Sequence, residues 1–378
     1  MPPPEVRDPF AHHRDGPGVL EGQVAGEEFL MVLGYDELRA VASDWAVFSS
    51  DAPFRVPIPS EEGVRNVRQL PIETNPPQHT AYRAVVQEPF SWRTSARIRP
   101  GIRQIADDLL AAATGVPHVD LVLEFALPLQ SRALALMLGR SQDEAAEWIS
   151  WGTRVLREGD EEGGLDQYLD RVIDAAMLSP GEDFFGRLAT ATLDGRRLTR
   201  EEIMGFANLA FAGGRDTVIN IITCAVHHLA VNPADMARLR GDPGLLPCAI
   251  EEFLRYFSPI GHIGRVVAED AVIGGRPVSA DSVVSLCFAS ANRDPRAFDR
   301  PNECLVDRSP NRHVAFGHGP HRCIGAPQAK TVLSVALEAF LEHVGEVRVL
   351  EARPRVEDLG SVQRISGFER LALELRPA

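Results

Sequence analysis

The stretch that decides how this sequence is interpreted is FGHGPHRCIG, residues 316–325. It sets Cys323 on a glycine-rich turn, and the apolar residues that follow predict a helix from Cys323 to about Val344. Unpaired N–H groups and the macrodipole at a helix N-terminus favour a thiolate over a thiol, and glycines let the backbone approach the sulfur. The pattern predicts an anionic cysteine able to ligate a metal; the alternative is an ordinary buried cysteine at a helix start.

The longest helical pattern, residues 199–232, holds a second unusual motif. It opens with a capping box and continues without interruption to an Asn-Pro stop, which predicts a rod of about 48 Å. Gly213 and Gly214 lie in mid-helix, where each costs roughly 1 kcal/mol relative to alanine. Close helix packing, with Thr217 bonding back to a carbonyl and bending the rod, accounts for the glycines but leaves Asp216 unexplained in an apolar stretch.

The pattern Phe-x-x-Gly-x-x-x-Cys-x-Gly resembles the haem-binding loop of cytochrome P-450, the haem-thiolate monooxygenases, in their soluble bacterial form. The resemblance implies that Cys323 ligates the iron of haem b (iron protoporphyrin IX). It also implies that other loop residues contact the cofactor, namely Phe316, Gly317, His321 and Gly325.

Two further sets of residues match positions of that family. Glu252 and Arg255 resemble its Glu-x-x-Arg pair, and Arg308 matches the arginine that completes the network bracing the cysteine loop. A charged i,i+3 pair occurs on any solvated helix and is not informative alone. It supports the resemblance here because it lies at the expected place upstream of the cysteine loop. Four residues match the positions that clamp the haem propionates: His79, Arg83, Arg265 and His321.

The motif Gly-Gly-Arg-Asp-Thr at residues 213–217 resembles the oxygen-activation motif of the family. The resemblance implies that Thr217 hydrogen-bonds the oxygen and that Asp216 relays protons to it. It also implies a substrate pocket lined by apolar or small residues: Leu209, Ala212, Gly213, Ile260 and Ile365.

The remaining patterns predict a mainly α protein with small β-sheets (α+β), and the resemblance implies the cytochrome P-450 fold with its long central helix over the haem. A proline-rich irregular segment is expected at 49–77. We expect one domain over residues 1–378, with β-rich portions at about 18–60, 262–290 and 345–378. Helices are expected at roughly 77–88, 101–114, 121–138, 141–156 and 165–178, and in the segment after Pro247.

Composition narrows the class of protein. A net charge of -14 argues against nucleic acid and anionic membrane surfaces. Lys330 is the one lysine, and neither a P-loop nor a Schiff-base lysine fits its surroundings. The 5 widely spaced cysteines indicate a reducing compartment. With no signal or anchor pattern in the sequence, we expect a cytoplasmic protein with no membrane or nucleic-acid partner.

These features predict a monooxygenase that inserts one atom of O2 into a small hydrophobic substrate by hydroxylation or epoxidation. No flavin or iron–sulfur motif is present in the sequence, so a ferredoxin or flavodoxin partner is expected to supply electrons. The alternatives are a haem-thiolate sensor or carrier without turnover and a peroxide-driven haem enzyme, and the Asp216-Thr217 pair argues against both. A basic docking surface is expected from six residues: Arg93, Arg97, Arg99, Arg103, Arg312 and His318.

Overall fold

The chain forms two compact units, each assembled from separate segments. The computed structural model describes residues 8–14, 16, 18–153, 164–359 and 362–378. The first unit comprises residues 1–83, 251–323 and 355–366. The second unit comprises residues 84–250, 324–354 and 367–378. The expectation of one domain over the chain stays a prediction.

Helices form most of the regular structure, as predicted. In chain order the described helices are α1 (Tyr35–Ser43), α2 (Gln78–Val86), α3 (Trp92–Thr114), α4 (Leu127–Leu138), α5 (Gln142–Ser150), α6 (Gly164–Leu178), α7 (Phe184–Thr190), α8 (Arg200–Gly214), α9 (Asp216–Val231), α10 (Pro233–Gly241), α11 (Leu246–Phe257), α12 (Phe288–Ala291) and α13 (Ala326–His343). A π-helical segment, Leu121–Ala126, leads into α4, and short 3-10 turns lie at Ala11–His13, Pro243–Leu245 and Gly319–His321.

The strands are short except for the last two. They are β1 (Val19–Val24), β2 (Glu27–Val32), β3 (Phe48–Ser49), β4 (Val119–Asp120), β5 (Thr192–Leu193), β6 (Arg196–Arg197), β7 (Ile263–Val267), β8 (Ala271–Ile273), β9 (Arg276–Val278), β10 (Val283–Leu286), β11 (Val344–Asp358) and β12 (Gln363–Pro377). The portion expected to be β-rich at about 345–378 holds these two long strands, and the charged residues of β11 continue along 15 residues.

The first unit is built on a five-stranded sheet in the order β1-β2-β10-β7-β3. Strands β2 and β10 run parallel, with Leu30 opposite Val284, and the other pairs are antiparallel. Helix α1 closes one face through Leu38, which is fully buried with the sheet residues Val32 and Leu286. The sheet takes its strands from two of the portions expected to be β-rich, about 18–60 and 262–290. The sheet places β7, which carries Arg265, between β10 and β3.

The second unit is helical, with α3 packed along α13 and α4 packed against both α3 and α5. Helix α3 begins at Trp92 rather than near residue 101, because the Ser91 side chain accepts a hydrogen bond from the Thr94 amide and Pro100 is accommodated inside the helix. Helix α5 ends at Ser150, short of the expected end; residues 154–156 of that expectation lie outside the described residues. Helices α7 and α10 were not predicted.

Two stretches of the described residues are long and apolar enough to cross a membrane, Leu121–Leu138 and Arg200–Val231. In these, 78% and 67% of the most apolar window is buried inside the protein. Such burial is typical of the core helices of a globular unit, where an apolar surface on every side packs against neighbouring elements.

Candidate active site

The cysteine loop is a closed turn rather than the first turn of a helix. Cys323 is exposed, and its backbone N–H donates to the Phe316 oxygen at 2.8 Å. The expected helix start at Cys323 was wrong: α13 begins at Ala326, after Gly325 in the N-cap position. Pro327 explains the start, because proline has a preset φ and no N–H and is therefore favoured in the first helical turn.

Two glycines shape this loop. Gly317 and Gly319 have φ values of +73° and +69°, which side chains other than glycine rarely adopt. A Cβ atom on Gly319 would lie 2.4 Å from the backbone oxygen of Ala42 in α1. The loop can therefore approach α1 closely only with glycine at position 319.

Four of the residues expected to bind the cofactor lie near one another in the first unit: His79 and Arg83 on α2, Arg265 on β7 and His321 in the loop. The His79 and His321 ring centroids lie 4.2 Å apart. His79 Nδ1 and both ring nitrogens of His321 are buried without a hydrogen-bond partner among the described residues. We call these four residues the cation cluster.

No carboxylate among the described residues balances the charges of the cation cluster. Burial, followed by the charges of Arg83 and Arg265, lowers the pKa of His79 to about 4. Burial, with Arg265 as the next cause, lowers the pKa of His321 to about 2. Burial also lowers the pKa of Arg83, and the nearby Cys323 acts in the opposite direction. Neither Arg83 nor Arg265 forms an ion pair among the described residues, so a ligand with negative charge would offset the repulsion between them.

Arg265 is the most buried member of the cluster. It is 3% exposed, and its Nη1 donates to its neighbour's carbonyl, the Gly264 oxygen, at 2.7 Å. Burial lowers the pKa of Arg265 to about 10, so the guanidinium stays charged at neutral pH. A buried cation without a carboxylate is costly, and an anionic ligand offsets that cost.

The Glu252 network lies beside the loop, also in the first unit. The Glu252 carboxylate accepts hydrogen bonds from Arg255 at 2.7 and 2.8 Å and from Arg308 at 3.0 and 3.1 Å. Neither Glu252 nor Arg255 has any exposed surface. The network also includes Asn311, whose Nδ2 donates to Glu252 at 3.1 Å. No sequence signal singled out Asn311, because an asparagine beside a proline is ordinary loop composition.

The central helical rod, in the second unit, is broken in the middle. The expected uninterrupted helix was wrong, since α8 ends at Gly214, α9 begins at Asp216, and Arg215 between them has φ −113° and ψ −76°. Thr217 Oγ1 donates to the Gly213 oxygen at 3.0 Å, and Gln130 Nε2 donates to the Gly214 oxygen. These side chains satisfy the two carbonyls at the break, which explains how it persists within a buried helix.

One face of this rod is open. Leu209, Ala212, Asp216 and Thr217 are half-buried in a helix whose other positions are largely buried, and a Cβ atom on Gly213 would meet nothing within 4 Å. These positions are three or four residues apart and so share one face. The two remaining predicted substrate residues lie in the first unit: Ile260 follows α11 and is 38% exposed, and Ile365 is half-buried on β12.

Comparison with known proteins agrees with this geometry. The family model for cytochrome P450 matches residues 244–350, which include the Glu252 network and the cysteine loop. The chain is 33% identical to the cytochrome P450 monooxygenase PikC of Streptomyces venezuelae over 87% of this chain and 81% of that protein. The chain belongs to the cytochrome P450 family. It is therefore an oxidoreductase that uses a haem iron, O2, an organic substrate and a redox partner.

Two further similarities extend over nearly the whole of this cytochrome P450. It is 30% identical to the 6-deoxyerythronolide B hydroxylase of Saccharopolyspora erythraea, over 88% of this chain and 86% of that protein. A solved structure described as a carbohydrate active P450 is 40% identical, covers 98% of each chain and superposes with a TM-score of 0.95. The predicted P450 fold is thus confirmed.

The described residues fit a haem. Unpartnered histidine nitrogens and unpaired arginines next to an exposed cysteine match the two carboxylates and the iron of that group. Arginine and histidine donors bind carboxylates through charge-assisted hydrogen bonds.

Proposed function

We propose that this cytochrome P450 inserts one atom of O2 into a C–H or C=C bond of a small organic substrate, by hydroxylation or epoxidation. The observation that carries the proposal is the cation cluster beside Cys323, which lacks a described counter-ion. When bound, haem b supplies the oxygen-activating chemistry, and a thiolate ligand favours O–O cleavage. The residues of this chain hold the cofactor, place the substrate and deliver protons.

Cys323 would hold the iron through its sulfur, and the cation cluster would hold the two propionates. Arg83 is also near the proposed iron ligand, because the charge of Cys323 favours the charged form of Arg83. Phe316, Gly317 and Gly325 belong to the same loop and would contact the cofactor. The closed turn between Phe316 and Cys323 fixes the backbone on both sides of the sulfur.

Asp216 and Thr217 would deliver protons. The Thr217 hydroxyl donates to the Gly213 oxygen, so its oxygen can still accept a hydrogen bond. Asp216 is half-buried on the open face of the rod, where a carboxylate can exchange protons with solvent. A sensor or carrier has no need of this pair, which favours a monooxygenase with turnover.

A small hydrophobic substrate is our first proposal for the pocket. Leu209, Ala212 and Gly213 supply an apolar surface of small side chains on the central rod in the second unit. Ile260 and Ile365, which lie in the first unit, stay predicted substrate residues. The second candidate is a carbohydrate, which is favoured by the 40% identity to a carbohydrate active P450.

The redox partner is proposed to be an acidic ferredoxin or flavodoxin that docks on α3. Arg93 and Arg97 are exposed one turn apart, and neither forms an ion pair within the described residues. Arg99 and Arg103, in contrast, already pair with acidic residues of α13. The expected basic surface is thus narrower than the sequence suggested. We further propose that the protein acts in the cytoplasm, which agrees with cysteines that form no disulfide among the described residues.

Ligation is tested on the purified holoprotein. The reduced protein under carbon monoxide should show the strongly red-shifted Soret band of a thiolate-ligated haem, and Cys323→Ser should lose it. Cys304→Ser is the matched control, because Cys304 is a half-buried cysteine of the first unit outside the loop. Retention of the band in Cys323→Ser would contradict the assignment.

Turnover and substrate are tested separately. Product formed with O2, a ferredoxin and its reductase supports the monooxygenase, whereas product formed only with hydrogen peroxide supports the peroxide-driven alternative. Spectral titration with terpenoids, aromatics and mono- and oligosaccharides then separates the two substrate classes. Saturable shifts with sugars and none with apolar compounds would replace the first substrate proposal by the second.

A further inference from the structure

Arg215 lies between the two halves of the oxygen-activation motif, at the break in the central rod. The side chain is only 4% exposed, although it carries a charge. No ion pair with Arg215 occurs within the described residues. The proposed reaction gives it no role, so its burial calls for another explanation.

The Arg215 guanidinium reaches the end of α5. Its Nη2 donates to the Trp148 oxygen at 2.6 Å and to the Gly152 oxygen. The guanidinium carbon lies 6.0 Å from the centre of the Trp151 ring, within the range of a cation–π contact. Burial lowers the pKa of Arg215 to about 10, so the side chain remains a cation at neutral pH.

The end of α5 needs such a donor. The last four carbonyls of a helix have no partner within the helix, and a cation near that end is favourable to the helix dipole. Two of the carbonyls at this end are satisfied locally: Gly152 N–H donates to the Ile149 oxygen at 3.0 Å, and Ser150 Oγ donates to the Glu147 oxygen at 2.7 Å. Arg215 supplies the donor for Trp148, which is fully buried.

The side chains of three residues therefore hold the chain at the break. Thr217 bonds to Gly213, Gln130 bonds to Gly214, and Arg215 bonds to the end of α5. Of these, only the Arg215 contact ties the break to α5. Arg215 also directly precedes Asp216, so a displacement of its backbone changes where both proposed proton-transfer side chains point.

We propose that Arg215 is a positioning residue that fixes the orientation of Asp216 and Thr217 by anchoring the break to the C-terminal end of α5. The inference rests on the proposed proton-transfer role of Asp216 and Thr217. It assigns to Arg215 no contact with substrate or cofactor. Its consequence is that the end of α5 and the break move together.

The test uses Arg215→Met, which keeps the length of the side chain and removes its charge and donors. In the holoprotein, hydrogen–deuterium exchange at residues 214–219 and at 150–153 should become at least ten-fold faster. With substrate, product formed per reducing equivalent should fall at least three-fold at nearly unchanged KM. Arg215→Lys keeps the charge with one donor group and should give intermediate values of both quantities, and it serves as the test variant if Arg215→Met does not fold.

Arg140→Met is the matched control at the other end of α5. Arg140 pairs with Glu144 and Asp183, so its loss should speed exchange at the start of α5 alone and leave coupling unchanged. The inference would be overturned if hydrogen–deuterium exchange at 214–219 in Arg215→Met were as slow as in the wild type. It would also be overturned if product formed per reducing equivalent fell in Thr217→Ala but stayed unchanged in Arg215→Met. If Thr217→Ala leaves product per reducing equivalent unchanged, the proposed proton-transfer role is wrong. The exchange experiment still tests whether Arg215 anchors the break to α5.

Discussion

The Glu252 network yields the sharpest quantitative prediction, for the substitution Glu252→Gln. Glu252 Oε1 accepts from Arg255, Arg308 and the Leu305 amide, and Oε2 accepts from Arg255, Arg308 and Asn311. Glutamine keeps the shape of the side chain but replaces one oxygen by an NH2 group. Whichever oxygen is replaced, a donor then faces two buried arginine donors.

The expected loss of stability follows from that geometry. Hydrogen bonds to charged groups contribute about 1.5–3 kcal/mol each, and at least two of them are lost. Removing one partner of a buried ion pair costs about 3–5 kcal/mol, because the other charge is left uncompensated. Arg255 has no exposed surface and Arg308 has a side chain only 7% exposed, so water cannot replace the carboxylate. We expect the free energy of unfolding to fall by about 3–5 kcal/mol.

The assay is equilibrium urea unfolding of the holoprotein, followed by tryptophan fluorescence and by the thiolate Soret band. Glu251→Gln is the control: it changes the neighbouring residue in the same way, and Glu251 is 32% exposed in its pair with His313. Such a partly exposed pair contributes about 0–1 kcal/mol. Equal losses in the two variants, or a loss below about 1 kcal/mol for Glu252→Gln, would show that the network does not brace the cysteine loop.

Three further predictions follow from the site. Thr217→Ala should leave O2 and electron consumption in place but release most of the oxygen as hydrogen peroxide; measuring product per reducing equivalent decides this, and unchanged coupling would limit Thr217 to the helix break. Reversing Arg93 and Arg97 to glutamate should lower the rate of electron transfer from an acidic ferredoxin and flatten its dependence on salt, whereas an unchanged rate and salt dependence would place docking elsewhere. Burial opposes the shift, but the hydrogen bonds from Arg255 lower the pKa of Glu252 in the folded protein. The contribution of Glu252 to stability is therefore present above the ordinary pKa of 4.5 and is lost as pH falls through the lowered pKa. The free energy of unfolding should decline less steeply below pH 4.5 in Glu252→Gln than in the wild type, and parallel curves would contradict this.

Sequence reasoning reached the parts of the site that are encoded in short motifs. The cysteine loop and the Glu252–Arg255 pair are each encoded within a few consecutive residues, so the sequence alone singles them out, and the roles predicted for them stay predictions. Such motifs work because the residues that act together are close in sequence, as Glu252 and Arg255 are, or lie on a loop whose glycines limit its shape, as at Gly319.

The errors have a common physical cause, which is a partner distant in sequence. The break at Arg215 depends on carbonyls at the end of α5 and on Gln130, and neither leaves a signal in the periodicity of residues 199–232. Helix α3 starts early because Ser91 caps it, and Pro100 inside the helix made the sequence pattern favour a later start. Local patterns predict that a helix exists better than they predict where tertiary contacts end or interrupt it.

The buried arginines show why the structure distinguishes roles that the sequence cannot. Arg255 uses its donors fully: Nε and Nη2 bind Glu252, Nη1 binds the Asn292 and Pro301 oxygens at 2.8 Å, and Nη2 also binds the Glu303 oxygen at 2.9 Å. Arg265 is equally buried, yet within the described residues its side chain donates only to Gly264. A buried cation with a carboxylate is part of the frame, because its charge is already balanced. A buried cation whose donors stay free, next to two histidines that also have free nitrogens, is a site for an anion. By this criterion we propose that Arg255 braces the loop and that Arg265 binds the propionates of the haem.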